Sequence, residues 1–248
     1  MWSSIEEIVK PDTLEEAYKH SRKEGHALLG GGSYLTSLQP REVRTLIPIR
    51  HLLPQSVMDD GKQVHLGAGL TLQMLIDQSE GPCGDWPLAV LRSCSSKQIR
   101  NQRTLGGEIG QQRTNSELYV ALYALDAQLE IVRGKIETVP LRTWEGDGII
   151  CTVIVPRIPL VLERLALLDS APAFLIAAGV REKRWMCVSI GGRINGVTSM
   201  VLPHAMHADE IEKAVAEASD RLISDHYGSR EYKQQVLGVM LKRMGERL

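Results

Sequence analysis

Near the middle of this 248-residue chain lies a long polar run, residues 93–116, with few apolar members beyond Ile99, Leu105 and Ile109. A segment that polar inside a compact chain buries too little of its own surface to hold itself, so something polar must organise it. Its centre reads Lys97-Gln98-Ile99-Arg100-Asn101-Gln102-Arg103-Thr104-Leu105-Gly106-Gly107-Glu108-Ile109-Gly110. Gly106 and Gly107 permit close backbone approach, and Thr104 with the nearby amides offers hydrogen-bond donors.

A second glycine turn lies far upstream. Leu29-Gly30-Gly31-Gly32-Ser33-Tyr34-Leu35 follows an expected strand at 26–29 and opens an expected helix. Consecutive N–H groups at a helix start, with a serine hydroxyl beside them, can cradle a phosphate or pyrophosphate. As a dinucleotide fingerprint the turn fails, because Leu35 stands where the third glycine of G-x-G-x-x-G belongs. Gly67-Ala68-Gly69 fails in the same way at Leu72, and Gly191 to Thr198 has Val197 in place of the P-loop lysine. Leu35 also occupies the closing glycine of a nucleophile elbow around Ser33, which argues against a hydrolase. Two turns converging on one long anionic ligand would explain both glycine segments. Two unrelated surface turns are the competing reading.

Composition narrows the class. With 43% hydrophobic residues, 24% charged and a net charge of −1, the chain can bury a sizeable core and has no basic surplus to drive bulk nucleic-acid binding. Phe174 is the only phenylalanine, so the core is aliphatic. Cys83, Cys94, Cys151 and Cys187 contain no Cys-x-x-Cys pair and indicate no zinc or iron–sulfur centre. Residues 148–155 are too short to span a bilayer, and the acidic start lacks signal-peptide order, so a soluble cytoplasmic protein is expected. His204, His207 and Asp209 have a possible metal-ligand spacing, but their place after Pro203 fits a helix cap better.

The periodicity predicts an α+β chain of three small subdomains. Thr13 and Glu16 have capping-box spacing ahead of a first helix, and strands are expected at 26–29 and 44–49. A second unit has a strand at 63–66, helices at 71–78 and from 86, a helix at 117–125, a hairpin around Arg133-Gly134 and a strand at 148–155. Beyond Pro159, extended pieces at 164–168, 185–190 and 196–202 surround a helix-like 171–180. Two amphipathic helices follow, at 209–219 and 229–244, the last with Tyr232, Val236, Met240 and Met244 at four-residue spacing and Leu237 and Leu241 beside them.

These segments together resemble the FAD-binding medium subunit of the molybdenum hydroxylases, the xanthine dehydrogenase, carbon monoxide dehydrogenase and aldehyde oxidoreductase family. Leu29 to Leu35 is similar to that family's first flavin loop. Leu66-Gly67-Ala68-Gly69-Leu70-Thr71 resembles its Ile-Gly-Ala-x-x-Thr. Gln98-Ile99-Arg100-Asn101 through Thr104-Leu105-Gly106-Gly107 resembles its Gln-Ile-Arg-Asn-x-Ala-Thr-Ile-Gly-Gly-Asn signature. Ser224-Asp225-x-Tyr227-Gly228-Ser229-x-Glu231-Tyr232 resembles the start of its C-terminal helix.

The resemblance implies an FAD-binding domain over 1–159, with subdomains of about 1–53 and 54–159. A C-terminal domain over 160–248, with a three-stranded antiparallel sheet and helices, would follow. It places the cofactor on Leu29, Gly30, Gly31, Gly32, Ser33, Tyr34, Leu35, Thr104, Gly106, Gly107, Glu108 and Glu117, and assigns this chain no catalytic or metal-binding residue. It also implies a hetero-oligomer with a molybdopterin-binding large subunit and a [2Fe–2S] small subunit, passing electrons through FAD to NAD⁺ or another acceptor. Tyr34 replaces the family's usual Asp, Glu108 its Asn and Glu117 its Asp, and the connection 141–148 is short. A carboxylate at 108 brings negative charge near a diphosphate unless it points away. These departures motivate the alternative of a scaffold subunit that docks the same partners with weak or no FAD binding. A free-standing flavin oxidase is a further reading.

Overall fold

A computed structural model describes residues 2–78, 90–92, 94–169, 171–183, 185–203 and 206–248. The chain builds three sheets in sequence. The first is parallel, with strands β1 (Glu7–Ile8), β2 (His26–Leu29) and β3 (Thr45–Pro48) in the order β1-β3-β2. Helices α1 (Leu14–Ser21) and α2 (Ser33–Leu38) connect them. Thr13 caps α1 as its spacing predicts, accepting from the Glu16 N–H at 3.1 Å, while the Glu16 carboxylate accepts from the Asp12 N–H.

The second sheet is antiparallel. It contains β4 (Val57–Asp59), β5 (Gln63–Gly67), β6 (Gln128–Val132), β7 (Ile136–Pro140) and β8 (Ile149–Pro156), in the order β4-β5-β8-β6-β7. Gly134 turns the β6–β7 hairpin at φ +88°. The polar run folds as two short helices, α4 (Lys97–Gln102) and α5 (Leu105–Gly110), following α3 (Leu72–Asp77) and preceding α6 (Glu117–Ala124). The short 141–148 connection is fastened to the first unit through Asp147. Its carboxylate accepts from the Tyr18 hydroxyl and from Arg22, both at 3.2 Å, and its carbonyl accepts from the Trp144 indole at 2.7 Å.

The third sheet corrects two expectations. It has four strands rather than three: β9 (Leu160–Leu165), β10 (Leu175–Arg181), β11 (Trp185–Gly192) and β12 (Thr198–Pro203), in the order β12-β11-β10-β9. The helix-like 171–180 is strand β10, and the extended piece placed at 164–168 is β9. In β10 every residue from Leu175 to Val180 is buried, because both faces of the sheet are covered. Ile176, Ala178 and Val180 join the core shared with α6, whereas Leu175 and Ala177 pack with α7 (Ala208–Ser219) and α8 (Arg230–Arg247). Two-sided burial erases the alternation that marks a strand, and the alanines then read as helix.

The apolar face of α8 is the expected one except at its start, where Lys233 and not Tyr232 is buried. Lys233, Leu237, Met240, Leu241 and Met244 are buried, while Tyr232 is exposed. The Lys233 ammonium is satisfied internally, donating to the Ile223 carbonyl at 2.6 Å and to Asp225 at 2.9 Å. His207 is the N-cap residue of α7, as the cap reading has it, and its N–H donates to Glu210 at 2.8 Å. His204, Cys83 and most of the helix expected from 86 lie outside the described residues. Among the described residues no helix is long and apolar enough to cross a membrane, and no group of three or more His, Cys, Asp or Glu could hold a metal ion.

Candidate functional site

The first glycine turn joins β2 to α2. Gly32 sits at φ +75°, a conformation side-chain-bearing L residues rarely adopt, and it is the N-cap of α2. Having no side chain, it cannot cap the leading amides, and α2 has no side-chain cap. Helices α1, α3, α4, α5, α6 and α8 are instead closed by Thr13, Thr71, Ser96, Thr104, Ser116 and Ser229. The first-turn N–H donors of α2 are therefore left for a ligand or solvent.

The turn abuts residues 102–107. A Cβ on Gly31 would fall 1.7 Å from the Gln102 carbonyl oxygen, and one on Gly30 would fall 2.8 Å from the Thr104 hydroxyl. Thr104 is buried and caps α5 by accepting from the Gly107 N–H at 3.2 Å. The Gly67-Ala68-Gly69 turn supports this segment from behind. Leu105 N–H donates to the Leu70 carbonyl at 2.8 Å, Gly106 N–H to Ala68 at 2.9 Å, and Leu72 N–H to Arg103 at 2.9 Å. The two distant glycine turns thus face each other, and the third is their buttress.

Between them runs a groove. One cleft, of about 350 Å³, is lined by Gly30 to Leu35 together with Arg103, Thr104, Gly107 and Glu108. It shares Leu28, Gly30, Thr104, Gly107 and Gln111 with a second cleft of about 640 Å³. The walls of the second include Ile49, Leu53, Ile149, Ile150 and Trp144, so the groove is amide-rich at one end and apolar at the other. A third, charged cleft of about 390 Å³ adjoins through Arg103 and Glu108 and includes Cys94, Arg113, Ser116 and Glu117. There burial, reinforced by Glu117, pushes the Cys94 thiol well above its ordinary range, so it is held neutral.

The anticipated residues divide accordingly. Gly30, Gly31, Gly32, Ser33, Tyr34, Leu35, Thr104, Gly106, Gly107 and Glu108 line the groove. Leu29 stands behind the turn, with its Cδ1 3.1 Å from where a Gly32 Cβ would be. The buried Glu108 carboxylate points at the protein. It accepts from Arg113 Nη2 at 2.7 Å and from the Ser116 hydroxyl at 2.6 Å, with Arg103 Nε at 3.4 Å. Glu117 lies only in the charged cleft, where it accepts from Arg164 Nε at 3.1 Å. Burial raises its pKa above the ordinary range despite the opposing pull of its own backbone N–H and of Arg164. Sequence reasoning missed Arg103, Arg113 and Trp144. The arginines were visible as the cations bracketing Gly106-Gly107, and Trp144 as the one aromatic of the short connection.

FAD fits this arrangement. It is long, carries a diphosphate suited to uncapped amides where two glycine turns pack directly against each other, and has aromatic ends suited to an apolar wall. A flavin-nucleotide domain is the class that fold and groove define. The sequence profile of the family described as the FAD binding domain in molybdopterin dehydrogenase matches residues 3–157, and the chain belongs to that family. Over 252 residues it is 27% identical to YgfM, an uncharacterized protein of Escherichia coli (strain K12), covering 96% of this chain and 94% of YgfM. Among solved structures, quinoline 2-oxidoreductase from Pseudomonas putida 86 superposes with a TM-score of 0.82 at 16% identity, over 100% of this chain and 97% of that one. Reconstituted CO dehydrogenase from Oligotropha carboxidovorans gives 0.79 at 20% identity, over 97% and 96%. At such identities the structural likenesses speak for the fold.

Proposed function

We propose that the chain is the flavoprotein subunit of a cytoplasmic molybdenum hydroxylase complex, with a molybdopterin-binding large subunit and a [2Fe–2S] small subunit as partners. When bound, FAD supplies the redox chemistry, taking electrons from the [2Fe–2S] clusters and delivering them to NAD⁺ or another acceptor. Residues 1–159, in two parts of about 1–53 and 54–159, form the FAD-binding domain, and 160–248 form the C-terminal domain. Gly30, Gly31, Gly32 and Ser33 present main-chain amides to the diphosphate, with Leu29, Tyr34 and Leu35 shaping that turn. Thr104, Gly106 and Gly107 form the opposite wall. Glu108 stabilises that wall from behind, and Glu117 contributes from the adjoining charged cleft.

The observation that carries this reading is the uncapped α2 facing a glycine wall. The Glu108 carboxylate, its charge balanced by Arg113 and its oxygen bonded by Ser116, favours a retained cofactor over a scaffold without flavin. The test is co-purification with the partner subunits, a visible spectrum and cofactor extraction. One FAD per chain is expected. A fully assembled, active complex without FAD in this chain would refute the proposal.

A further inference from the structure

Glu108 follows Gly107 directly, so a buried carboxylate stands immediately behind the groove wall. Its oxygens meet two guanidinium groups, Arg113 at 2.7 Å and Arg103 at 3.4 Å, and the Ser116 hydroxyl at 2.6 Å. One carboxylate against two arginines leaves the cluster with one net positive charge. Arg113 also reaches across to the first glycine turn, its guanidinium carbon lying 5.1 Å from the centroid of the Tyr34 ring. One arginine thereby touches a residue from each side of the groove. The Nε–H of Arg113 is buried without a hydrogen-bond partner, so this cation has donor capacity to spare, whereas Arg103 Nε faces Glu108.

Resting on the FAD reading above, we propose that Arg113 is a positioning residue for the diphosphate, acting by neutralising Glu108 and keeping the wall behind Gly107 net positive. Its effect is one of charge balance, not direct contact. Replacing Arg113 by Gln makes the cluster neutral. Replacing Glu108 by Gln makes it doubly positive, and the double variant returns it to one positive charge. FAD affinity of the full chain should follow that order. E108Q binds more tightly than the parent, R113Q binds about tenfold more weakly, and R113Q/E108Q recovers most of the loss, as expected for one partly buried charge close behind the groove wall.

The experiment titrates FAD into the full-length parent and the three variants, following flavin fluorescence at low and high salt, with a thermal melt on each protein. Recovery of affinity in the double variant, with the R113Q deficit shrinking in high salt, is the expected result. A purely structural role also predicts recovery in the double variant, but it leaves E108Q no tighter than the parent and the R113Q deficit unmoved by salt. Equal losses in R113Q and R113Q/E108Q, or no loss in R113Q, would overturn the inference. If R113Q does not fold, E108Q decides: tighter binding supports it, and unchanged or weaker binding overturns it. A parent chain that takes up no FAD would instead strike the FAD reading itself, and the inference with it.

Discussion

Alanine at position 31 is the sharpest probe of the meeting between the two glycine turns. The added Cβ would lie 1.7 Å from the Gln102 oxygen and 2.7 Å from its carbonyl carbon, both backbone atoms with no rotamer to yield. Separating them to an ordinary contact requires the two turns to part by about 1.7 Å or more, in a region packed as tightly as an organic crystal. Overpacking of this kind costs about 1–3 kcal/mol in stability. A site displaced by about an ångström loses on the order of a hundredfold in function. Gly110→Ala is the matched control, since its Cβ would meet nothing within 4 Å and its φ is ordinary. There the better helix propensity of alanine, worth up to about 1 kcal/mol, leaves the melt unchanged or raised. FAD titration and thermal melts of both variants are the assay. A Gly31→Ala protein with parental affinity and parental melting temperature would refute the packing argument outright.

Gly32→Asp places a carboxylate beside the proposed diphosphate, and Gly32→Asn the same shape without charge. Both tolerate the left-handed φ of +75° better than most residues, so FAD titration should show loss in the Asp variant well beyond the Asn variant. Glu117→Gln tests the buried carboxylate facing Arg164. Because folding raises the pKa of Glu117, its contribution is fully present below about 4.5 and declines as pH rises through the higher folded value. Melts of the Gln variant should gain on the parent from acid to neutral pH, and a gain confined to acid would contradict this. Asp225→Asn tests the latch to α8. Desolvation opposes ionisation of Asp225, but hydrogen bonds from Lys233, Arg193 and the Tyr227 N–H prevail and hold its pKa at about 2. Its contribution is present above 3.8 and lost as pH falls through 2, so the variant should be less stable by about 2 kcal/mol at pH 7, with the deficit closing in acid.

Local chemistry was legible in the sequence, and two-sided burial was not. Thr13, Gly134 and the glycine turns act through the residues next to them, so their spacing alone announces α1, the β6–β7 hairpin and the entry to α2. The role of 93–116 was readable as a need for polar partners, yet its two short helices were not. They are held by Ser96 and Thr104 caps and by backbone bonds to residues 68–72, which no periodicity encodes. Strand β10 was misread because sheet pairing and both covering layers are remote in sequence. Lys233 was missed for a related reason: its burial depends on Asp225 and the Ile223 carbonyl, and a lysine within an apolar stripe otherwise reads as its polar edge.

One segment, residues 108–120, ties the groove to the C-terminal sheet. At its start Glu108 and Arg113 reach the groove wall and Tyr34. Thr114 then pairs with β11 in both directions: its hydroxyl donates to the Gly192 carbonyl at 2.7 Å, and its carbonyl accepts from the Gly192 N–H at 2.6 Å. Gly191 is close-packed against the same stretch, for a Cβ there would lie 2.2 Å from Val120 and 2.6 Å from the Thr114 carbonyl. Glu117 adds a partly buried bond to Arg164 in β9. Backbone pairing, a glycine contact and an ion pair within so few residues leave little freedom between the third sheet and α5, whose first turn is the groove wall. A perturbation at the β11 end of this segment, such as Gly191→Ala, should therefore weaken FAD binding although position 191 lines none of the groove. A Gly191→Ala chain that is destabilised yet binds FAD with parental affinity while folded would show that the two ends are mechanically independent.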